Sequence, residues 1–300
     1  MYVKNNIDLS ILIPCYNWDV QSLINHLHSL CVNSQKLNKF EIICIDDASK
    51  DCFANNKISE LHNVTYRKLN KNIGRSKIRN LMAHKAQYEW LLFIDADSEI
   101  YNSFFINKYL NAISKPIDPK TLYYGSTMYN EKQPNKEKIL HWKYGKKVES
   151  KRKKHIFSSH HFLIQRKLFS KEYNIKFNET ITSYGYEDTF FVNDNTLKTI
   201  YIDNPLYHIG LKDTDKFISD TEHALHNLIR YSKLKKITKQ IKIIKIANLL
   251  SNFNIEKVII TMFKIFKPLI LKNLYSKNPL IICIQFYKLG YFLTHYHNSN

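Results

Sequence analysis

Apolar residues in the first third of the chain fall into short runs bounded by polar ones. Leu9-Ser-Ile-Leu-Ile-Pro14 reads as a buried strand, and Val20, Leu23, Ile24, Leu27 and Leu30 follow at the spacing of one helix face. Phe40-Glu-Ile-Ile-Cys-Ile45 and Val64-Thr-Tyr-Arg-Lys68 repeat the strand pattern, and Ile78 to Ala86 reads as a helix leading into a strand, Trp90-Leu-Leu-Phe-Ile94. Strands that alternate with helices predict an α/β fold with a mainly parallel, Rossmann-like sheet covered by helices on both faces, because parallel neighbours need a crossover connection. After residue 100 the pattern loosens. Strands are predicted around Leu122 to Tyr129, His161 to Gln165 and Thr199 to Asp203, with a helix from Glu187 to about Asn195. From about Phe217 the chain turns helical in period and rich in Lys, so the expected division is 1–216 and a helical region 217–300, the first part in halves 1–100 and 101–216.

In a parallel sheet the ligand crevice lies beyond the carboxyl ends of the strands. The first strand ends in Pro14-Cys-Tyr-Asn17, the second in Asp46-Asp47-Ala-Ser49 and the fourth in Asp95-Ala96-Asp97. Asp95 and Asp97, two apart after an apolar strand, allow one carboxylate to meet a ligand hydroxyl and the other a metal that bridges phosphate oxygens. Hard divalent cations such as Mg²⁺ or Mn²⁺ take one or two carboxylates in this way. Asp46 and Asp47 add a second acidic cluster on the same edge, and also suit a turn or helix cap.

Composition narrows the class. The 300 residues suffice for one large α/β domain with an appendage, or two modest domains. A 44% hydrophobic, 13% aromatic chain is not disordered, and only 6 glycines and 7 prolines exclude collagen-like and linker classes. The net charge of +19 points to an anionic partner: nucleic acid, a membrane surface or a phosphorylated substrate. Few of the bases are Arg, and Asn, Ile and Tyr are abundant, so base bias of the coding sequence is an alternative source for part of the excess. Position matters more than sum: from Arg230 to Asn300 the 13 bases face a single acid, Glu256, a local excess of +12. There Leu234, Ile237, Ile241 and Ile244 share a helical face with Lys235, Lys239 and Lys242 off it. That pattern fits a basic amphipathic helix on an anionic bilayer surface, or an ordinary helix with a solvated basic side.

The 5 cysteines, Cys15, Cys31, Cys44, Cys52 and Cys283, form no C-x-x-C pair and suggest buried thiols in a reducing compartment. No signal peptide is expected at Met1 to Ser10, and Lys264, Lys267, Lys272 and Lys288 break every apolar stretch near the length of a spanning helix. The expected location is the cytoplasm.

Five segments in order, Ile13-Pro-Cys-Tyr-Asn17, Ile45-Asp-Asp-Ala-Ser49, Asn72-Ile-Gly-Arg-Ser-Lys-Ile-Arg-Asn80, Phe93-Ile-Asp-Ala-Asp97 and Gly185-Tyr-Glu-Asp188, resemble the family 2 glycosyltransferases of the GT-A fold over roughly residues 8 to 210. The resemblance implies inverting transfer of a sugar, a hexose or N-acetylhexosamine, from a nucleotide-diphosphate donor, usually UDP-linked, with a divalent metal. It assigns Pro14, Tyr16 and Asp46 to the nucleobase pocket, with Asp47 nearby. Arg79 goes to the base or diphosphate, and Asn72 and Gly74 to the nucleotide-sugar, though these two also suit a plain loop and helix start. Asp95, with Ala96, goes to the ribose or sugar and Asp97 to the metal. Ile78 stands where the family usually has Ala. Asp188 resembles the family's base, which takes the proton of the attacking acceptor hydroxyl, and Glu187 its acceptor-orienting neighbour. Acids at a helix start also favour its dipole without any catalytic role. His208 falls where related enzymes place a third metal ligand. Ser158, Ser159, His160 and His161 would border the sugar or acceptor, and the basic stretches His141 to Lys147 and Lys151 to His155 suit either an acceptor pyrophosphate or a mobile loop, a candidate lid.

Other classes fit less well. Aspartyl phosphatases also place Asp-x-Asp after an apolar strand, but normally at the opening of the domain. A nucleic-acid-binding module explains the charge but not Asp46, Asp47, Asp95, Asp97, Glu187 and Asp188, which repel phosphate without a metal. The expectation is therefore a metal-dependent inverting glycosyltransferase at the cytoplasmic face of the membrane. It would extend a surface polysaccharide or lipid-linked glycan, with no nucleic-acid partner; the alternative is a basic nucleic-acid- or membrane-binding protein with an inactive nucleotide-sugar domain.

Overall fold

The computed structural model of the chain describes residues 7–51, 53–114, 118–151, 156–234 and 241–297. Along the chain run β1 (Ile7–Cys15), α1 (Gln21–Val32), β2 (Leu37–Asp46), β3 (Val64–Lys68), α2 (Arg75–Lys85), β4 (Trp90–Ile94), β5 (Ser98–Glu99) and α3 (Phe105–Ala112). Then follow β6 (Thr121–Tyr124), β7 (Thr127–Met128), α4 (Ile139–Tyr144), β8 (His161–Gln165), α5 (Glu187–Asn195), β9 (Lys198–Tyr201) and β10 (Leu206–His208). The helices α6 (Thr214–Leu234), α7 (Lys242–Asn252), α8 (Glu256–Leu274) and α9 (Ile281–His297) complete the order. These elements form two compact units.

The first unit comprises Met1–Asn130, Arg152–Thr182 and Glu187–Gly210. Its main sheet has the order β3-β2-β1-β4-β8-β6-β9. β1, β2, β3 and β4 run parallel, β8 lies antiparallel between β4 and β6, and β9 is parallel to β6. Alternation along each strand feeds two apolar layers. Leu9, Ile11, Ile13 and Cys15 of β1 meet Ile24 and Leu27 of α1 and Phe105 and Tyr109 of α3 on one face. Leu12, Ile43, Ile45 and Phe93 meet Ile78 and Met82 of α2 on the other. The mainly parallel sheet with helices on both faces is therefore as the hydrophobic pattern predicts. A small second sheet, β5-β10-β7, stands beside it.

Local chemistry explains where element ends depart from expectation. The strand predicted from Leu122 to Tyr129 breaks into β6 and β7 at Gly125-Ser126. A Cβ on Gly125 would lie 2.2 Å from both the Asn204 carbonyl oxygen and the His161 ring, so the chain bends where only glycine fits. Helix α2 starts at Arg75, ahead of Ile78, because the carboxylate of Asp47 takes the amides of Ile73 and Gly74 and anchors the entry. The expected loop after His141 is helical instead: α4 continues through a further turn at Gly145–Glu149, with His141 and Tyr144 buried. Residues 152–155 of that stretch lie outside the described residues.

The second unit comprises Glu131–Lys151, Ser183–Tyr186 and Leu211–Asn300. Here α9 packs against both α6 and α8. Phe263 of α8 meets Phe286 and Tyr287 edge-on, and a Cβ on Gly290 would lie 2.3 Å from the Phe263 ring. Residue 217, the expected boundary, falls inside α6. The amphipathic pattern from Leu234 to Ile244 spans 235–240, outside the described residues; α6 ends before that gap and α7 begins after it. Among the described residues no helix is long and apolar enough to cross a membrane. Cys15, Cys31, Cys44 and Cys283 are free thiols, the first three buried, and Cys52 lies outside the described residues.

Asp220 of α6 is a buried acid bound by Lys212 at 2.8 Å and Lys216 at 2.6 Å. Burial pushes its carboxyl up, but the two lysines outweigh that and hold it below the usual aspartate value. A lowered folded value means that the unfolded chain binds more protons in acid, so this stability is present above the unfolded value and lost as pH falls through the folded one. Asp220→Asn is expected to cost about 1–2 kcal/mol at neutral pH. It should also flatten the loss of thermal midpoint on acidification below about pH 5. Melting curves across that range check this, and an unchanged acid limb would contradict it.

Candidate active site

The parallel order β2-β1-β4 sets three strand ends side by side, with the end of β1 between the two acidic segments. At the end of β2, Asp46 is buried, and its carboxylate accepts the Ser49 amide at 2.7 Å and the Tyr66 hydroxyl at 2.8 Å. Next to it Asp47 accepts Ile73 N at 2.7 Å and Gly74 N at 2.9 Å, while Asn72 Nδ2 donates to the Asp47 carbonyl. The turn between them carries Ala48 at φ 60°, a left-handed conformation with strain on the order of 1–3 kcal/mol. It is tied down from β1: Asn17 N donates to Ser49 Oγ and Asn17 Oδ1 accepts Lys50 N, each at 2.7 Å. Asp46 and Asp47 thus shape the two loops that flank the β1 end. Tyr16 leaves its ring exposed there, and Pro14 beside it is half-buried.

Beyond β4, Asp95 and Asp97 are partly open to solvent, while Ala96 between them turns into the core. Asp95 Oδ1 accepts Arg79 Nη2 at 2.7 Å. Arg79 itself is 2% exposed, its guanidinium over the Phe177 ring at 5.5 Å. Its Nε and Nη1 have no hydrogen-bond partner among the described residues. A buried guanidinium with donors unmatched by protein is a group suited to a further acceptor.

Asp97 is the centre of a second cluster. Two pairings from late in the chain deliver histidines to it. Antiparallel β8 sets His161 opposite Ile94, and the carbonyl of His160 takes the Asp95 amide at 2.9 Å. Antiparallel β10 sets His208 opposite Ser98, one residue past Asp97. His208 Nδ1 stands 3.5 Å from Asp97 Oδ2, and Ile209 N donates to the Asp97 carbonyl at 2.9 Å. His160 is held between Ser98 Oγ at 3.0 Å and Thr127 Oγ1 at 3.2 Å. One ligand atom each from Asp97, His160 and His208 lies within 4.8 Å of the other two. Burial pushes the Asp97 carboxyl up, but the neighbouring charges of His208, His160 and Arg75 outweigh it and hold it well below the usual carboxylate range.

One carboxylate and imidazole nitrogens make a donor set for a borderline divalent cation such as Mn²⁺ more than for Mg²⁺, which prefers oxygen ligands throughout. The residues therefore fit a divalent metal. Asp97 and His208 face each other, while His160 would join only by giving up one of its hydroxyl contacts.

Glu187 and Asp188 open α5. Glu187 is buried and stands 3.5 Å from Arg75 Nη1, so Arg75 lies in electrostatic reach of both Glu187 and Asp97. Asp188 is half-buried, its Oδ1 turned to its neighbour's amide, Thr189 N, at 2.6 Å. The residues preceding them belong to the second unit, where the Asn227 side chain of α6 bonds the carbonyls of Ser183, Tyr184 and Gly185, each at 3.2 Å. Gly185 has φ 109°, and a Cβ there would sit 2.2 Å from that of Ala224. His161 serves the core instead. It is fully buried, bonded to Tyr109 at 2.6 Å and to the Ser126 carbonyl, and burial pushes it down to about 3. Ser159 is buried beside His160 in sequence, and Ser158 is half-buried.

Sequence reading missed Arg75, Ser98, Thr127 and Gly210 as members of this site. A Cβ on Gly210 would lie 2.2 Å from Asp97 Oδ2, so only glycine lets the strand exit pass behind that carboxylate. No local pattern marks it, because the contact joins β4 and β10.

This sheet, with acidic segments at its carboxyl edge, has the architecture of the GT-A glycosyltransferases, and solved structures agree. The mannosyltransferase PcManGT from Pyrobaculum calidifontis, in complex with GDP-Man and Mn²⁺, is 14% identical, with 98% of this chain and 87% of that one covered at a TM-score of 0.59. GalNAc-T7 with UDP, GalNAc and Mn²⁺ is 16% identical over 70% of this chain and 45% of its own, with a TM-score of 0.50. S. aureus TarS is 18% identical over 74% of this chain, with a TM-score of 0.49; the chain spans 40% of the TarS length. Among curated proteins none matches. The profile described as Glycosyl transferase family 2 matches residues 10–172, more than half of the chain, and the protein belongs to that family.

Gly210→Ala should displace the Asp97 carboxylate and weaken divalent-ion binding at least about tenfold, as loss of a supporting contact does at metal sites. A Mn²⁺ titration followed by thermal midpoint reads this directly. Wild-type affinity in the variant would show that Gly210 does not seat Asp97.

Proposed function

We propose that the chain transfers a sugar from a nucleotide-diphosphate sugar, with UDP as the first nucleotide to try, to a hydroxyl of a glycan or lipid-linked glycan, with inversion. The observation that carries the reading is the cluster Asp97, His160 and His208 beside the Arg79–Asp95 pair on the carboxyl edge of a parallel sheet. Family membership supports it. Among the neighbours, GalNAc-T7 with UDP and Mn²⁺ supports the choice of nucleotide and metal, and PcManGT with GDP-Man and Mn²⁺ supports the wider donor class. We take residues 1–216 as the catalytic part and 217–300 as a helical region with a separate role.

In this reading Tyr16 offers its exposed ring to the base, with Pro14 beside it, and Asp46, Asp47, Asn72 and Gly74 hold the loops that frame the pocket. Asp95, oriented by Arg79, accepts a ribose or sugar hydroxyl. Asp97 and His208 would hold a divalent cation, Mn²⁺ or Mg²⁺. Such an ion, when bound, neutralises the charge that grows on the diphosphate as it leaves. Asp188 is the general base: its carboxylate takes the proton of the acceptor hydroxyl, whose oxygen forms the new bond to the anomeric carbon on the face opposite the departing diphosphate. Glu187, fixed by Arg75, orients that acceptor. The acidic edge argues against nucleic acid as a partner, since carboxylates without a cation repel phosphate. A surface polysaccharide or its lipid-linked precursor is the proposed acceptor class. The +12 of charge from Arg230 onward supports a peripheral position on the cytoplasmic face of the membrane.

Transfer assays with UDP- and GDP-sugars, with and without Mn²⁺, test the reading. Asp97→Ala should abolish Mn²⁺-dependent donor binding. Asp188→Asn should keep donor binding and lower kcat by about 10²–10⁴-fold, the range of a lost general base. Transfer that survives both substitutions would overturn these roles, and retention of anomeric configuration in the product would overturn the inversion.

A further inference from the structure

Helix α8 is apolar on more of its surface than α9 covers. Phe263, Ile270 and Leu274 are buried, and Phe263 carries the ring contacts to α9. At one hundred degrees per residue, Ile255, Val258, Met262, Ile265, Phe266 and Leu269 fall on a neighbouring face. They are 42%, 55%, 42%, 65%, 44% and 62% exposed. From Ile255 to Leu269 this stripe runs about 21 Å along the axis. Soluble surfaces scatter single apolar residues, but a continuous stripe of this length marks something to be covered.

Charge selects the occupant. Lys257, Lys264 and Lys272 are exposed and lie to one side of the stripe, beyond Ile265, and Glu256 is the only acid of the helix. A second copy docking stripe to stripe would bring lysine rows together, which a two-fold interface disfavours. A helix with apolar residues toward the acyl boundary and lysines at headgroup level is the arrangement of an interfacial helix. It does not span: no described helix is long and apolar enough to do so.

We propose that the exposed stripe of α8 is the surface by which the protein docks on an anionic lipid bilayer. The helix lies in the interface plane, with Ile265 and Leu269 as the deepest side chains. This deepens, and rests on, the membrane position proposed above, and it moves the contact from the 234–244 pattern to α8.

Flotation of the full chain with vesicles of phosphatidylcholine alone, or with about a third phosphatidylglycerol, tests it. The expected result is binding to the anionic vesicles that weakens with salt and is weaker on phosphatidylcholine alone. Ile265→Ser with Leu269→Ser should reduce that binding at least about tenfold with the thermal midpoint unchanged. The triple change Lys257→Gln, Lys264→Gln and Lys272→Gln should remove the preference for anionic lipid. Wild-type binding by the Ser pair would overturn α8 as the surface and leave the membrane position standing. No binding by the wild type would overturn both. A dimer in light scattering that the Ser pair dissociates would identify a second copy as the occupant and overturn the proposal. UDP-sugar binding measured on the same preparations is independent of all these outcomes.

Discussion

A carboxylate taken out of water must be matched by donors or positive charge, and this sheet gathers five of them around one edge: Asp46, Asp47, Asp95, Asp97 and Glu187. The match is made in three different currencies. Backbone amides of the following loops satisfy Asp46 and Asp47. Fixed guanidinium groups satisfy Asp95 and Glu187, through Arg79 and Arg75. Imidazoles serve Asp97. The first two tie their carboxylates to neighbouring loops and to α2, whereas the imidazole of His208 approaches Asp97 from a strand late in the chain. Along this edge Asp97 is the carboxylate that meets imidazole nitrogens, the donor set described above as fitting a divalent metal.

The same division separates scaffold from working groups. Asp46 and Asp47 are among the most buried acids of the chain, and their oxygens are occupied. Their work is to hold a strained turn and the entry to α2, the helix that carries both Arg75 and Arg79. Asp95 and Asp97 keep a quarter of their side-chain surface open, 25% and 27%. An acid that closes a loop and an acid that stays partly open look alike in sequence, and the hydrogen-bond partners distinguish them.

How much was legible follows from the range of the contacts involved. Strand ends with acids after them could be read directly, since alternation and turn chemistry are local, and the parallel sheet with its two apolar layers followed from the same pattern. His208 was reachable only through the family resemblance, because its approach to Asp97 depends on β10 pairing with β5 from more than a hundred residues away. Gly210 and Arg75 carried no signal. A glycine after a strand is ordinary punctuation, and an arginine in a basic chain is one of many. His141 to Glu149 was read as a loop from its lysines, but His141 accepts the Lys212 amide at 2.8 Å and stacks on Phe217, which turns a charged segment into a packed helix.

The helical tail teaches the converse. Its net charge was plain in the sequence, yet charge alone does not choose between a solvated face and a docking face. The difference lies in the apolar positions that α9 leaves uncovered on α8, beside the close seat of Phe263 on Gly290. A basic helix whose apolar residues were all buried would need only water. One that shows apolar side chains from Ile255 to Leu269 as well as lysines is suited to an apolar partner with negative charge, the chemistry of the bilayer surface proposed above.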